Sequence, residues 1–171
     1  MAALEPFRCC PSAGSNQTDP IPLPYLIDEN YHLGAYDLEL QVSLRPSGQE
    51  YATVIGESNA KYLYWNIKQQ LAHHSVTGCV MRPGDLLGTG TISGPTANAK
   101  GCLLEMTRDG TEVIELSFPK KPDDKHPNII QRRYLEDGDE LILTGFGQLV
   151  NGYRVGFGEV RGKILSADMI L

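Results

Sequence analysis

Two stretches of this chain carry residue types suited to chemistry. The first is GTGTISG, residues 88–94, with three glycines and three hydroxyls (Thr89, Thr91 and Ser93). Glycine lets a backbone come close to a ligand, and hydroxyls supply small donors and acceptors. Gly/Ser/Thr loops also occur without a ligand, so the stretch reads either as a ligand-facing loop or as a plain connection. The second is Glu105 in GCLLEMT. Residues 101–118 read as a hairpin turned at Asp109-Gly110, in a register that pairs Glu105 with Ile114 and Met106 with Val113. Glu105 then shares an apolar face with Leu103, Ile114 and Leu116. A carboxylate there is costly unless it is hydrogen-bonded or paired. Burial would raise its pKa and a cation would lower it, and groups perturbed in this way gather at functional sites. The alternative is a partly solvated face or a one-residue slip, which would exchange the two faces.

Other candidates read as structural. His73-His74-Ser75 offers a base beside a nucleophile, but neighbouring helical residues do not face each other. Histidines also suit the negative end of a helix dipole. Asp137, Asp139 and Glu140 in LEDGDELI look like a solvated turn, and Asp123-Asp124 lies in a charged loop. Neither has the spacing of a calcium loop. No G-x-S-x-G elbow, P-loop or dinucleotide fingerprint is present. The glycines of Gly145-Phe146-Gly147 and Gly156-Phe157-Gly158 mark strand bends.

The elements that must position these residues are mostly strands. Leu38, Leu40, Val42 and Leu44 alternate with polar residues, which predicts a half-buried strand, and Tyr51–Ile55 returns after Arg45-Pro46-Ser47-Gly48. One main helix is predicted over about 59–77, capped by Ser58 or Asn59, with a stripe of Ala60, Leu63, Tyr64, Ile67 and Leu71. Arg82-Pro83-Gly84-Asp85 reads as a tight turn leading into Leu86-Leu87 as a short buried strand. A similar turn-then-strand entry occurs at Gly138-Asp139. Residues 119–133, proline-rich and charged, read as a surface loop, and 135–147 and 152–165 read as strands around Asn151-Gly152. Residues 1–30 form an irregular Pro-rich arm, leaving 31–171 as the folded domain. The fold class is therefore mostly β (α+β).

At 171 residues with 41% hydrophobic and 21% charged residues, the chain suits one globular domain. Its net charge of −6 argues against nucleic acid or an anionic membrane surface as partner. No apolar run of transmembrane length and no signal peptide is read from it, so the expected location is cytoplasmic. Cys9, Cys10, Cys79 and Cys102 match neither a zinc pattern nor a disulfide framework. Without a secretory signal, the Asn16-Gln17-Thr18 sequon reads as chance.

KYLYWNIKQQLAHHSVTGCVMRPGDLLGTGTISG resembles the C-terminal region of the fumarylacetoacetate hydrolase family. The likeness extends to LPYL, DLELQVSL, GCLLEMT, LEDGDELILTG and GYRVGFGEVRGKI, nearly all of the chain beyond the arm. It implies the C-terminal portion of that family's mixed β-roll. It also implies hydrolysis of the carbon–carbon bond of a β-diketo acid, giving fumarate and acetoacetate in tyrosine and phenylalanine catabolism. Calcium and magnesium are implied as cofactors, a small-molecule diketo acid as substrate, and a homodimer as the assembly. By the resemblance, Glu105 orients a general-base histidine, and Thr91, helped by Gly90, contacts substrate. The family's histidine, calcium carboxylates and lysine–threonine pair precede the matched segment and have no counterpart in this chain. The expectation is a partial site, inactive alone and prone to associate through exposed apolar surface. The alternative is a non-catalytic module that pairs with full-length subunits.

Overall fold

The computed structural model describes residues 2–119, 125 and 127–167. The fold is mostly β with few helices, and the chain divides into two compact units.

The first unit comprises Met1–Leu38, Asn59–Ile92 and Gly147–Val155. A 3-10 turn over Ala2–Phe7 delivers Phe7, 2% exposed, against Gly147. A Cβ at Gly147 would stand 2.7 Å from the Phe7 ring, so only glycine fits there. Tyr153 stacks on the same ring with centroids 5.9 Å apart. β1 (Arg8–Cys9) pairs antiparallel with β2 (Ala35–Tyr36). The start of the Pro-rich stretch is thus packed and hydrogen-bonded rather than irregular.

The expected helix over 59–77 is shorter than predicted. Asn59 caps only a 3-10 turn, Ala60–Tyr62, by accepting from the Lys61 N–H. α1 spans Ile67–Ser75 and begins at Asn66, whose side chain accepts from Gln69 N–H at 3.0 Å. The Gln69 side chain accepts from Asn66 N–H at 3.0 Å, closing a capping box. The predicted stripe fails with it: Ile67 and Leu71 are exposed, and the buried helical residue is Gln69. Gln69 can be buried because its amide donates to Leu26 O and Gln17 Oε1.

The turn at Arg82–Asp85 is as expected. Asp85 N–H donates to Arg82 O, Arg82 N–H donates to Asp85 Oδ2, and Gly84 takes φ +96°. The buried strand expected after it is absent: Leu86 is 98% exposed and residues 85–94 take no regular structure.

The second unit comprises Glu39–Ser58, Ser93–Phe146 and Gly156–Leu171. Its principal sheet has the order β4 (Thr53–Asn59), β3 (Glu39–Arg45), β7 (Glu140–Gln148), β8 (Arg154–Lys163). β3 and β7 run antiparallel from Glu39↔Phe146 to Arg45↔Glu140. Leu44 on β3 is fully buried.

A second, two-stranded sheet corrects two predictions. β5 (Ile114–Phe118) pairs antiparallel with β6 (Asn128–Arg132), not with residues 101–108. The expected loop 119–133 therefore contains a strand, while residues 120–124 and 126 lie outside the described residues. Residues 103–106 are α2 (Leu103–Met106), a single helical turn, so the expected hairpin does not form. Three successive residues with positive φ, Arg108, Asp109 and Gly110, end that turn.

The solvated turn expected at LEDGDELI is partly buried. Asp139, 1% exposed, takes both guanidinium bonds of Arg132, Nε to Oδ2 at 3.0 Å and Nη2 to Oδ1 at 2.9 Å. Its Oδ2 also accepts the Glu136 N–H. Among the described residues, no helix is long and apolar enough to cross a membrane.

Candidate active-site residues

Glu105 lies on α2, in the second unit. It is exposed, and it does not sit on the apolar strand face that the hairpin register assigned to it. Its environment is polar instead. Ser93 Oγ donates to Glu105 Oε2 at 2.5 Å, and Gly101 N–H donates to the same oxygen at 3.0 Å. Gly101 N–H also reaches Ser93 Oγ at 3.1 Å. The Ser93 end of this triangle is fixed in turn by Gly94 N–H, which donates to Ala99 O at 2.7 Å.

These contacts decide the charge. The Ser93 hydroxyl holds the Glu105 carboxyl below its ordinary range; partial desolvation opposes this, and the Gly101 N–H and the Lys100 ammonium reinforce it. Glu105 is therefore an ionised acceptor near neutral pH. Its Oε2 is thus anchored by Ser93 and Gly101, and the Cys102 N–H adds a further backbone hydrogen bond to the carboxylate.

Thr91 and Gly90 belong to the first unit. Both are exposed. Gly90 takes φ +78°, and a Cβ there would meet nothing within 4 Å, so glycine is required by conformation and not by space. Thr89 Oγ1 donates to Gly90 O at 3.0 Å, while the Thr91 hydroxyl has no partner among the described residues.

The histidine pair does not form a nucleophile site. His73 Nδ1 meets the Tyr25 hydroxyl at 2.9 Å, His74 Nε2 meets Cys79 Sγ at 3.4 Å, and the Ser75 hydroxyl donates to Ala72 O. Among the described residues, no group of three or more His, Cys, Asp or Glu could hold a metal ion. The described residues do not form a site for the calcium or magnesium that the sequence resemblance implies.

Ser93 and Gly101 escaped the sequence reading as partners of Glu105. Ser93 was visible only as one hydroxyl in a Gly/Thr tail, twelve positions from the carboxylate. A local signal did exist. Glu105 stands at the third position of a helical turn entered at Cys102, where a glutamate reaches back toward N–H groups at the helix entry.

Comparison with known proteins matches residues 11–155 to the family described as fumarylacetoacetate (FAA) hydrolase, C-terminal. The chain is 47% identical to the Arabidopsis thaliana fumarylacetoacetase over 163 residues, covering 95% of this chain and 34% of the relative. It is 46% identical to the Homo sapiens fumarylacetoacetase over 168 residues, covering 98% of this chain and 36% of the relative. The Bos taurus protein of the same name is 44% identical over 167 residues, again 98% of this chain and 36% of the relative. The chain spans about a third of the length of these relatives.

Proposed function

This chain belongs to the fumarylacetoacetate hydrolase family, and on that premise we propose that it supplies one wall of a fumarylacetoacetase active site. The reaction is hydrolysis of 4-fumarylacetoacetate to fumarate and acetoacetate, the closing step of tyrosine and phenylalanine breakdown. The observation that carries this reading is the Glu105 carboxylate, exposed, ionised and anchored through Oε2.

Such a carboxylate accepts a ring N–H from a histidine, fixes its tautomer and stabilises the imidazolium. The other ring nitrogen takes a proton from water. Hydroxide adds to the diketone carbonyl next to the double bond. The bond from that carbon to the central methylene then breaks. Its electron pair leaves as the enolate of acetoacetate, which takes up the proton. The histidine comes from family sequence that this chain does not span. Thr91 gives substrate a hydroxyl contact, and the backbone at Gly90 leaves room for it. Calcium and magnesium would be held by that same unspanned sequence, and no step here is routed through a metal. Full subunits pair as a homodimer in this reading.

The test is diketone hydrolysis, with calcium and magnesium present, by the chain alone and by the chain mixed with the remainder of the Arabidopsis relative as a separate polypeptide. The expected result is turnover only in the mixture. There, Glu105→Gln should lower it by about a hundredfold or more. Turnover by the chain alone would sink the partial-site reading, and an unchanged rate in Glu105→Gln would remove Glu105 from the mechanism. A second reading, a non-catalytic module that pairs with full-length subunits, is favoured by the exposed apolar side chains Leu86, Val150 and Val160. Stable co-purification with the full-length Arabidopsis relative, without turnover in the mixture above, would support it.

A further inference from the structure

The triangle of Ser93, Gly101 and Glu105 has a defined direction. A carboxylate can only accept, so the Ser93 hydroxyl must give its single proton to Glu105 Oε2. The Gly101 N–H then reaches both Ser93 Oγ and Glu105 Oε2, at 3.1 and 3.0 Å. A 2.5 Å contact from a hydroxyl to a carboxylate is a charge-assisted hydrogen bond, the stronger kind. Both donors load the same oxygen. The carboxylate is thus pinned through Oε2, and the Cys102 N–H adds a further backbone hydrogen bond to the group.

We infer that Ser93 is a positioning residue: by holding Oε2 it fixes the carboxylate rotamer in which Glu105 meets its histidine. The inference rests on the proposed reaction, in which Glu105 orients that histidine. Ser93 touches neither substrate nor the reacting water in this scheme; it acts through Glu105. Gly101 shares the task through its backbone N–H, which only proline would remove and only by fixing φ as well, so the serine hydroxyl is the group to test. Lys100 is the cation that also bears on Glu105, and it stays in place in every Ser93 variant.

Ser93→Thr and Ser93→Val form the informative pair, since they share a shape and differ by the hydroxyl. In the chain labelled at glutamate carboxyl carbons, NMR titration should find Glu105 low in the parent and in Ser93→Thr. In Ser93→Val the titration should move up toward the ordinary glutamate range. In the two-polypeptide assay, Ser93→Val should lose about tenfold to a hundredfold in kcat with KM nearly unchanged, and Ser93→Thr should restore it. Circular dichroism checks folding, and Ser93→Ala replaces Ser93→Val if the valine variant unfolds. Identical titration of Glu105 in the two variants would overturn the inference. So would equal kcat in both while Glu105→Gln is inactive. If Glu105→Gln itself leaves turnover unchanged, the active-site reading fails instead, and the titration alone still decides whether Ser93 holds the carboxylate.

Discussion

Asp139 carries the largest single-residue consequence outside the candidate site. Its carboxylate is enclosed, and all of its partners are charged or backbone donors: the Arg132 guanidinium by two bonds and the Glu136 N–H by a third. Removing Asp139 leaves the buried Arg132 guanidinium with only the largely exposed Glu136 carboxylate, at 3.1 Å, as counter-charge. Asp139→Ala should therefore destabilise by about 3–5 kcal/mol, read as a lower urea midpoint, with Asp139→Asn losing less. A loss under about 1 kcal/mol would mean that water reaches the guanidinium. At Thr91 the expected effect is on binding. Thr91→Val removes one hydroxyl contact, so KM in the two-polypeptide assay should rise about fivefold to tenfold with kcat little changed. An unaltered KM would take Thr91 off the substrate. The sequence showed Thr91 and Glu105 as suited to chemistry, but it gave the wrong reason for Glu105. The carboxylate is perturbed by a serine twelve residues away and not by an apolar face. The burial of Asp139 was illegible for a similar reason: its partner Arg132 sits in a segment whose prolines and charges mimic a loop.

At the scale of elements, the start of α1 concentrates the local energetics. Asn66 and Gln69 exchange side-chain and backbone bonds, and the Asn66 amide also donates to Asp28 Oδ2 at 2.8 Å. Asn66→Ala should cost about 1–2 kcal/mol, with faster hydrogen exchange at Lys68, Gln69 and Gln70 than elsewhere in the unit. A uniform change in exchange would show that the cap is not local. Burial pushes the Asp28 carboxyl up, but hydrogen bonds from Lys68, Asn66 and the Asn30 N–H outweigh it and leave the pKa lowered. A depressed folded pKa stabilises above the unfolded value, and that stability is lost as pH falls through the folded value. The chain should therefore melt earlier below about pH 4, and Asp28→Asn should flatten that dependence. The strand β3 was legible from the alternation of Leu40, Val42 and Leu44 with polar residues, although Leu44 alone of the three is buried. The helix start was not, because Asn59 and Asn66 are both good caps. Only the extended backbone at Leu63 decides between them. Asp109-Gly110 looked like a hairpin turn, yet positive φ begins one residue earlier at Arg108. The backbone closes back on α2 through Asp109 N–H to Leu104 O and Glu112 N–H to Thr107 O.

At the scale of the molecule, each unit presents apolar surface to water. In the first unit Ile21, Leu23, Val80 and Leu86 are exposed; in the second Leu104, Ile129, Phe157 and Val160 are. The second unit also has a groove of about 510 Å³ with Val42, Ile55, Leu103, Met106, Leu141 and Leu143 among its walls. Exposed apolar side chains of this size mark association surfaces in soluble proteins where they join into patches. The net charge of −6 opposes self-association through repulsion between copies. Salt screens that repulsion over a Debye length of about 8 Å at 0.15 M without weakening apolar burial. The chain alone should therefore self-associate more as salt rises, the opposite of an assembly held by ion pairs. Sedimentation velocity between low salt and about 0.5 M, with a dye that binds exposed apolar surface, reads both effects. The remainder of the Arabidopsis relative, added before salt, should lower dye binding and replace the heterogeneous association by one defined complex. A chain that stays monomeric and binds no dye at any salt would show that this apolar surface needs no cover. It would also weaken the proposal that another stretch of polypeptide packs against this chain.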